Sequence, residues 1–300
     1  MSELLRPRLG ARALTVHVAL FVATCVTTYL AQDAIFAATL MTILLCHEMG
    51  HFVAARRRGV DVTLPYFIPL PPQISLGTMG AVIKMRSAID DRDALFDVGA
   101  SGPIAGLVVA VPLLVIGLTL SHVGPIPPDS VLEGNSIFYL TVKLIVFGHV
   151  LPSGSTDVQL HSMAFAAWVG ILVTMINLIP IGQLDGGHVV RAWLGDRHER
   201  MSAVLHKLLV VMAVVVGAAM TALARARGHG WADALQWSAF GATPWLTWAL
   251  MLALLRRAGD GHYHPPVGGG DLSPGRQRLA IGVVCVFLLI FTPVPMVPAM

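Results

Sequence analysis

The residues most able to do chemistry are His47, Glu48 and His51, which form an H-E-x-x-H pattern at the end of a long apolar stretch. Residues i and i+4 of a helix project from one face, so both imidazoles can reach one Zn²⁺, with Glu48 beside the metal as a general base. An ionisable group in hydrocarbon is costly and usually functional. A metal site is therefore a better interpretation than two unrelated buried histidines.

Two histidines do not complete a catalytic zinc site, which needs three protein ligands and an open position for water. The segment 177–188 reads Asn-Leu-Ile-Pro-Ile-Gly-Gln-Leu-Asp-Gly-Gly-His. Pro180 and Gly182 should break a helix there, and such a break at membrane depth is tolerated only where it is buried or lines a cavity. Asp185, at this break, is the predicted third ligand; a simple helix cap is the alternative for it.

Two other residues compete with Asp185 for the metal. Asp97 lies early in an apolar stretch, where a charge at the start of a helix is the simpler interpretation. His188 follows Asp185 by three residues and is the next candidate ligand, although a solvent-facing or supporting position fits it better.

The composition identifies the elements that must position these residues as membrane helices. Apolar residues make up 55% of the 300-residue chain, only 12% are charged, and the mean hydropathy is +0.73. A soluble domain would carry roughly a quarter charged residues, so a soluble enzyme and a disordered chain are both excluded. The three cysteines are far apart and show no CxxC spacing, which argues against a disulfide framework or a cysteine zinc ribbon.

The chain is predicted to be an all-α polytopic membrane protein with about seven transmembrane helices and a re-entrant, β-like loop after the second. The predicted spans are 13–31, 34–55, 94–120, 163–182, 208–224, 235–255 and 279–296. The expected division is an N-terminal arm with the first span (1–33), a core carrying the site (34–195) and C-terminal membrane spans (196–300).

The distribution of basic residues predicts the orientation. With the N-terminus in the cytoplasm, 17 of the 20 Lys and Arg residues fall on the cytoplasmic side, among them Arg6, Arg8 and Arg12 of the N-terminal arm. We therefore expect a multi-pass protein of the cell inner (cytoplasmic) membrane with a cytoplasmic N-terminus. The net charge of +3 then reflects topology, and nucleic acid is not an expected partner.

Three segments between spans carry further expectations. Residues 61–86 are apolar but broken by prolines, with β-type character at 78–85, so they predict the re-entrant loop. Residues 136–151, with Lys143 near the centre, predict an interfacial helix on the outer face. Residues 262–274 are rich in Gly and Pro and predict a plain linker.

The two motifs resemble those of the site-2 protease family of intramembrane zinc metalloproteases. H-E-x-x-H in one span and N-x-x-P-x-x-x-x-D-G at the end of another are similar to the metal motifs of that family. The resemblance implies that His47, His51 and Asp185 bind zinc, that Glu48 is the catalytic base and that Asn177 orients the substrate or the oxyanion.

The resemblance covers about residues 34–195 and includes the small-residue stretch 99–106 between the motifs. Gly102 and Gly106 in this stretch have small-xxx-small spacing, which lets helices approach closely. No PDZ-like or CBS-like insert is present in the sequence, so the chain is more similar to the PDZ-free bacterial and plastid members.

The expected function is that of a zinc endopeptidase, with one Zn²⁺ per chain, that cuts a membrane-spanning protein substrate within the lipid bilayer. A membrane zincin of the prenyl-protein type is one alternative, but its third ligand is a downstream Glu, and Glu133 and Glu199 lie outside the spans. A membrane zinc transporter is the other. Transport would favour His and acidic residues repeated along several spans, whereas here they are concentrated at one place.

Overall fold

A computed structural model describes residues 10–73, 75–127, 130–268 and 270–298 and is mostly helical. Arg6 and Arg8 lie outside these residues. The described helices are α1 (Ala11–Ala31), α2 (Ala34–Arg57), α3 (Arg92–Thr119), α4 (Ile137–Phe147), α5 (Ser162–Asn177), α6 (Asp185–Leu194), α7 (Arg197–Ala226), α8 (Trp231–Ala258) and α9 (Pro274–Ile290). The strands are β1 (Tyr66–Pro69), β2 (Thr78–Val82), β3 (His122–Pro125), β4 (Val131–Glu133), β5 (Thr156–Gln159) and β6 (Met296–Pro298).

Five of the described helices, α1, α2, α3, α7 and α8, are long and apolar enough to cross a membrane. The other two predicted spans correspond to shorter helices. The predicted span 163–182 contains α5, whose 16 residues extend about 24 Å. The predicted span 279–296 overlaps α9, which has 17 residues and begins five residues earlier, at Pro274. A bilayer core is about 30 Å thick, so neither helix meets the length of a regular span.

The chain itself explains why these two helices are short. Past Asn177, Pro180 lacks the amide hydrogen that a continuing helix needs, and Gly182 adopts a positive φ of 64°. α9 ends at Ile290, and the following Phe291 is in extended conformation shortly before Pro293. Hydropathy extends through both ends because the residues there are apolar, but the backbone does not continue as a helix.

The segment after α2 forms an antiparallel hairpin of β1 and β2. Of the residues 78–85 expected to have β-type character, 78–82 form strand β2. The hairpin packs along α1. His17 Nδ1 lies 3.0 Å from the carbonyl oxygen of Pro65, and Thr27 donates a hydrogen bond to the carbonyl of Gly77 at 2.6 Å. The first helix and the hairpin are thus one packed unit beside α2.

Lys143 of α4 has an environment that its sequence did not indicate. Its side chain is fully buried, with Nζ 3.5 Å from an oxygen of Asp157 on β5 and 3.8 Å from an oxygen of Glu133 on β4. Ile145, in contrast, is 75% exposed. The charge of Lys143 is therefore part of an internal ion pair, and the exposed side of α4 is mainly apolar.

The Gly- and Pro-rich segment between α8 and α9 is not a plain linker. Tyr263 and His264 are only 5% and 6% exposed. The backbone N–H of Tyr263 donates to the carboxylate of Glu199 on α7 at 3.1 Å, and its hydroxyl donates to His206 Nδ1 at 2.9 Å. The expectation of a linker was wrong because buried aromatic contacts fix a backbone that its composition alone would leave free.

Candidate metal centre

Two distant parts of the chain meet at one point. His47 and His51 lie on consecutive turns of α2, and Asp185 is the first residue of α6. The Nε2 atom of His47 is 3.1 Å from one carboxylate oxygen of Asp185, and the Nε2 atom of His51 is 3.2 Å from the other. The two Nε2 atoms are 3.2 Å apart. Among the described residues, this is the one group of at least three His, Cys, Asp or Glu side chains that could hold a metal ion.

The donor set and its spacing fit a zinc ion. Ligand atoms at the usual zinc distances of about 2.0–2.1 Å in a tetrahedron are separated by about 3.3 Å. The three separations here are 3.1, 3.2 and 3.2 Å. Two imidazoles and one carboxylate also form the ligand chemistry of catalytic zinc sites, in which the fourth position stays open.

The atoms around the cluster hold the imidazoles in a metal-binding orientation. The Nδ1 atom of His51 lies 2.7 Å from the carbonyl oxygen of Val98 on α3. A carbonyl only accepts, so Nδ1 carries the proton and the Nε2 lone pair points into the cluster. The amide nitrogen of Asn177 is 3.5 Å from His47 Nε2, so Asn177 borders the same point.

The break between α5 and α6 brings Asp185 to the two histidines. A Cβ added to Gly186 would be 2.0 Å from the carbonyl oxygen of Leu178, and one added to Gly187 would be 2.2 Å from that of Gly182. The two glycines thus let the turn fold back onto the start of α6. Leu184, which precedes the helix, makes no side-chain cap. The carboxylate of Asp185 faces the histidines, and a capping role does not explain its position.

Glu48 lines the same cavity, which has a volume of about 260 Å³. Glu48 is only 6% exposed, and no described residue donates a hydrogen bond to its carboxylate. The cavity wall also includes Asn177, Asp185, His188 and β2 residues. A carboxylate free of a hydrogen-bond donor, beside the cluster but outside it, is suited to take a proton.

Three glycines on α3 make room for the cluster, which confirms the close helix approach predicted from their spacing. A Cβ on Gly102 would be 2.1 Å from His51 Nε2, and one on Gly106 would be 3.2 Å from His47 Nδ1. A Cβ on Gly99 would be 2.8 Å from the Cβ of His188. α3 is therefore the surface against which both α2 and α6 pack.

Replacement of Gly102 by Ala is expected to displace His51 and to lower both zinc content and activity. The added methyl would occupy the position of the imidazole, and a shift of about 1 Å in such a group costs about 100-fold in rate. The zinc content of the purified protein, measured by atomic absorption, checks this prediction. Gly282→Ala on α9, where the methyl meets open space, is the matched control. Unchanged zinc and activity in Gly102→Ala would contradict the prediction.

Asp97 is placed away from the cluster. It lies on the second turn of α3, where its carboxylate pairs with Arg58 and, at 2.7 Å, with Arg276 at the start of α9. It therefore joins the ends of α2, α3 and α9, a role that is more specific than a charge at a helix start.

Glu133 and Glu199 also lie outside the cluster. Glu133 contacts Lys143, and Glu199 contacts Tyr263.

Comparison with known proteins agrees with this geometry. The Arabidopsis thaliana protein named probable zinc metalloprotease EGY1, chloroplastic, is 35% identical over 158 residues, which are 51% of this chain and 28% of that protein. The protein named probable zinc metalloprotease EGY2, chloroplastic, of Oryza sativa subsp. indica is 30% identical over 190 residues, which are 62% of this chain and 34% of that protein. The chain thus covers only about a third of the length of these relatives. No solved structure matches.

The sequence profile of peptidase family M50 matches residues 35–220, a region that contains both halves of the cluster. This confirms the resemblance to the site-2 protease family. Since the match includes more than half of the residues, the chain belongs to peptidase family M50.

Proposed function

We propose that this chain is an intramembrane zinc endopeptidase that holds one Zn²⁺ through His47, His51 and Asp185. The observation that carries the proposal is the cluster itself, in which three donor atoms from two separate helices lie at tetrahedral spacing beside an unpaired carboxylate. Membership of peptidase family M50 supports the assignment of the chemistry to peptide hydrolysis.

The polar residues of the cavity have distinct roles in the proposed hydrolysis. When bound, zinc would polarise the scissile carbonyl and lower the pKa of a coordinated water. Glu48 takes the proton of the attacking water and passes it to the leaving amine nitrogen. The amide of Asn177, next to His47, donates to the carbonyl oxygen as negative charge develops there.

The peptide hydrolysis takes place in the cavity, which is proposed to lie at the cytoplasmic end of the membrane-spanning helices. In chain order, α5 and α9 are proposed to be the fourth and seventh crossings, in addition to the five long helices. The β1–β2 hairpin is proposed to re-enter the membrane along α1, which its contacts with that helix support. The catalytic core is proposed to be residues 34–195, with 1–33 and 196–300 as flanking membrane units.

The substrate is proposed to be a protein with a single membrane span, whose helix unwinds into the cavity at the cytoplasmic side. The distribution of basic residues supports a cytoplasmic N-terminus, and the inner (cytoplasmic) membrane of the cell is the proposed location. The relatives named above are described as chloroplastic, and that location is said of them alone.

Neither alternative function receives comparable support. A zinc transporter needs successive ligand groups along its path, and the described residues contain a single group able to hold a metal. A zincin of the prenyl-protein type needs a glutamate as third ligand, and the third member of the cluster is an aspartate.

Removal of zinc is expected to abolish proteolysis, and its return is expected to restore it. The purified full chain is incubated in detergent with a membrane-protein fraction, and new chain ends are mapped by mass spectrometry. We expect cuts inside apolar segments of about 20 residues, absent after chelation and present again after Zn²⁺ is added. Cuts that persist after the metal has been removed, or cuts confined to soluble segments, would overturn the proposed function.

A further inference from the structure

The segment that connects α8 to α9 closes over α6 and reaches the site. We call residues 260–268 the C-terminal strap. Tyr263 anchors it to α7 through Glu199 and His206, as described above. The next residue, His264, is 6% exposed and points to α6, where its Nε2 atom lies 2.8 Å from the Nδ1 atom of His188. The strap lies outside the region matched by the family profile.

The hydrogen bonds of His264 determine which nitrogen of His188 carries a proton. His264 Nδ1 lies 2.7 Å from the carbonyl oxygen of Pro265, which only accepts, so this nitrogen is protonated. A neutral His264 then has a bare Nε2 that accepts a hydrogen bond from Nδ1–H of His188. The remaining nitrogen of His188, Nε2, is bare in turn, so it is an acceptor.

The side chain of His188 borders the active-site cavity. His188 lines the cavity together with Glu48, Asn177 and Asp185. Among the described residues, none forms a hydrogen bond with its Nε2 atom. The residue is only 8% exposed, and burial disfavours the charged form of an imidazole. The cavity thus contains a neutral acceptor that neither the metal cluster nor the proposed proton transfer uses.

We propose that Nε2 of His188 accepts a hydrogen bond from a backbone N–H of the peptide substrate beside the scissile bond, and that His264 is the positioning residue that keeps this nitrogen bare. The inference rests on the proposed protease function and adds a substrate-binding residue to it. A bare imidazole nitrogen cannot donate to a developing oxyanion, whereas an extended peptide offers N–H groups that need acceptors. The two carboxylates of the cavity have other roles: Asp185 contacts the histidine pair, and Glu48 is the proposed base for the attacking water.

The first arm of the test reads the tautomer directly and needs no substrate. The full zinc-loaded chain, with ¹⁵N in its histidine rings, is studied by NMR, and the His188 signals are assigned by their loss in His188→Gln. We expect Nδ1 protonated and Nε2 bare in the wild type. His264→Leu, which removes the acceptor, should release this preference, and His264→Gln, whose side-chain oxygen replaces Nε2, should keep it. A protonated Nε2 in the wild type overturns the proposal.

The second arm measures the hydrogen bond with a synthetic single-span peptide that contains a cut site mapped as described above. His188→Ala should raise KM about three- to ten-fold while kcat and zinc content stay near the wild-type values, because a hydrogen bond made equally in ground and transition states is lost. Peptides in which single amide groups near the cut are replaced by esters lack one N–H each. One such ester should raise KM for the wild type but not for His188→Ala.

The possible outcomes distinguish a failure of the role proposed for His188 from a failure of the proposed protease function. His262→Ala, a change at a side chain of the same strap that is 71% exposed, is the matched control and should behave like the wild type. Loss of zinc in His188→Ala, or ester effects that are equal in both proteins, would overturn the role of His188 while leaving the protease intact. Absence of any metal-dependent cut would instead overturn the proposed function, and the tautomer measured by NMR would still stand.

Discussion

Replacement of Glu48 by Gln is expected to lower turnover by about 100- to 10,000-fold, the usual contribution of a general base. The amide is nearly the same size as the carboxylate but cannot take a proton from water. Glu48 is not one of the three clustered donors, so zinc should stay bound with unchanged stoichiometry. The measurements are the peptidase rate on a single-span peptide and the zinc content of the same sample.

Asp271→Asn makes the same chemical change on a side chain that is 96% exposed at the edge of the molecule, and it should leave both quantities unchanged. Full turnover in Glu48→Gln would remove Glu48 from the mechanism. Loss of zinc in that variant would show that Glu48 is a ligand, which its position beside the cluster does not support.

Replacement of Asp185 by Ala is expected to abolish proteolysis and to weaken zinc binding by more than about 100-fold, beyond the effect of losing a supporting partner. The carboxylate contacts both histidines, at 3.1 and 3.2 Å, and its loss leaves two ligands from one helix. Zinc affinity is measured by competition with a chromogenic chelator, and proteolysis on the same single-span peptide.

Asp97→Ala is the informative comparison. This aspartate is also partly buried near a helix start, but it pairs with Arg58 and Arg276 and not with the histidines. We expect bound zinc in Asp97→Ala, with some loss of thermal stability because three helix ends lose a shared partner. If Asp185→Ala keeps its zinc, the third ligand lies elsewhere, and His188 is the next residue to test.

The chemistry of the site was largely predictable because it depends on local spacing. The i, i+4 relation places His47 and His51 on one helix face wherever the helix lies. The proline and glycines around Asp185 predicted a break, and the structure shows that break bringing its carboxylate to the histidines. The small-residue spacing of Gly102 and Gly106 likewise predicted the close approach of α2 and α3.

The boundaries of the membrane elements were less predictable because hydropathy reports what a residue prefers to contact and not where its backbone stops being helical. The predicted spans 163–182 and 279–296 include apolar residues beyond the ends of α5 and α9. The charge of Lys143 was similarly ambiguous. In sequence it lies near the centre of a segment predicted to be an interfacial helix, whereas in the fold its side chain is buried in an ion pair with Asp157.

The amino-acid sequence by itself determined the class of protein and the break before Asp185, since both follow from composition or from short-range backbone geometry. Its two motifs also predicted which residues bind the metal. Only the tertiary structure decided that the C-terminal strap reaches α6, that His264 contacts His188 and that His188 lines the cavity. These two histidines are 76 residues apart, and neither has a spacing that marks it. Their pairing depends on the packing of α7 and α8, which brings the strap back over the site, and no local pattern in a chain encodes the result of such long-range packing.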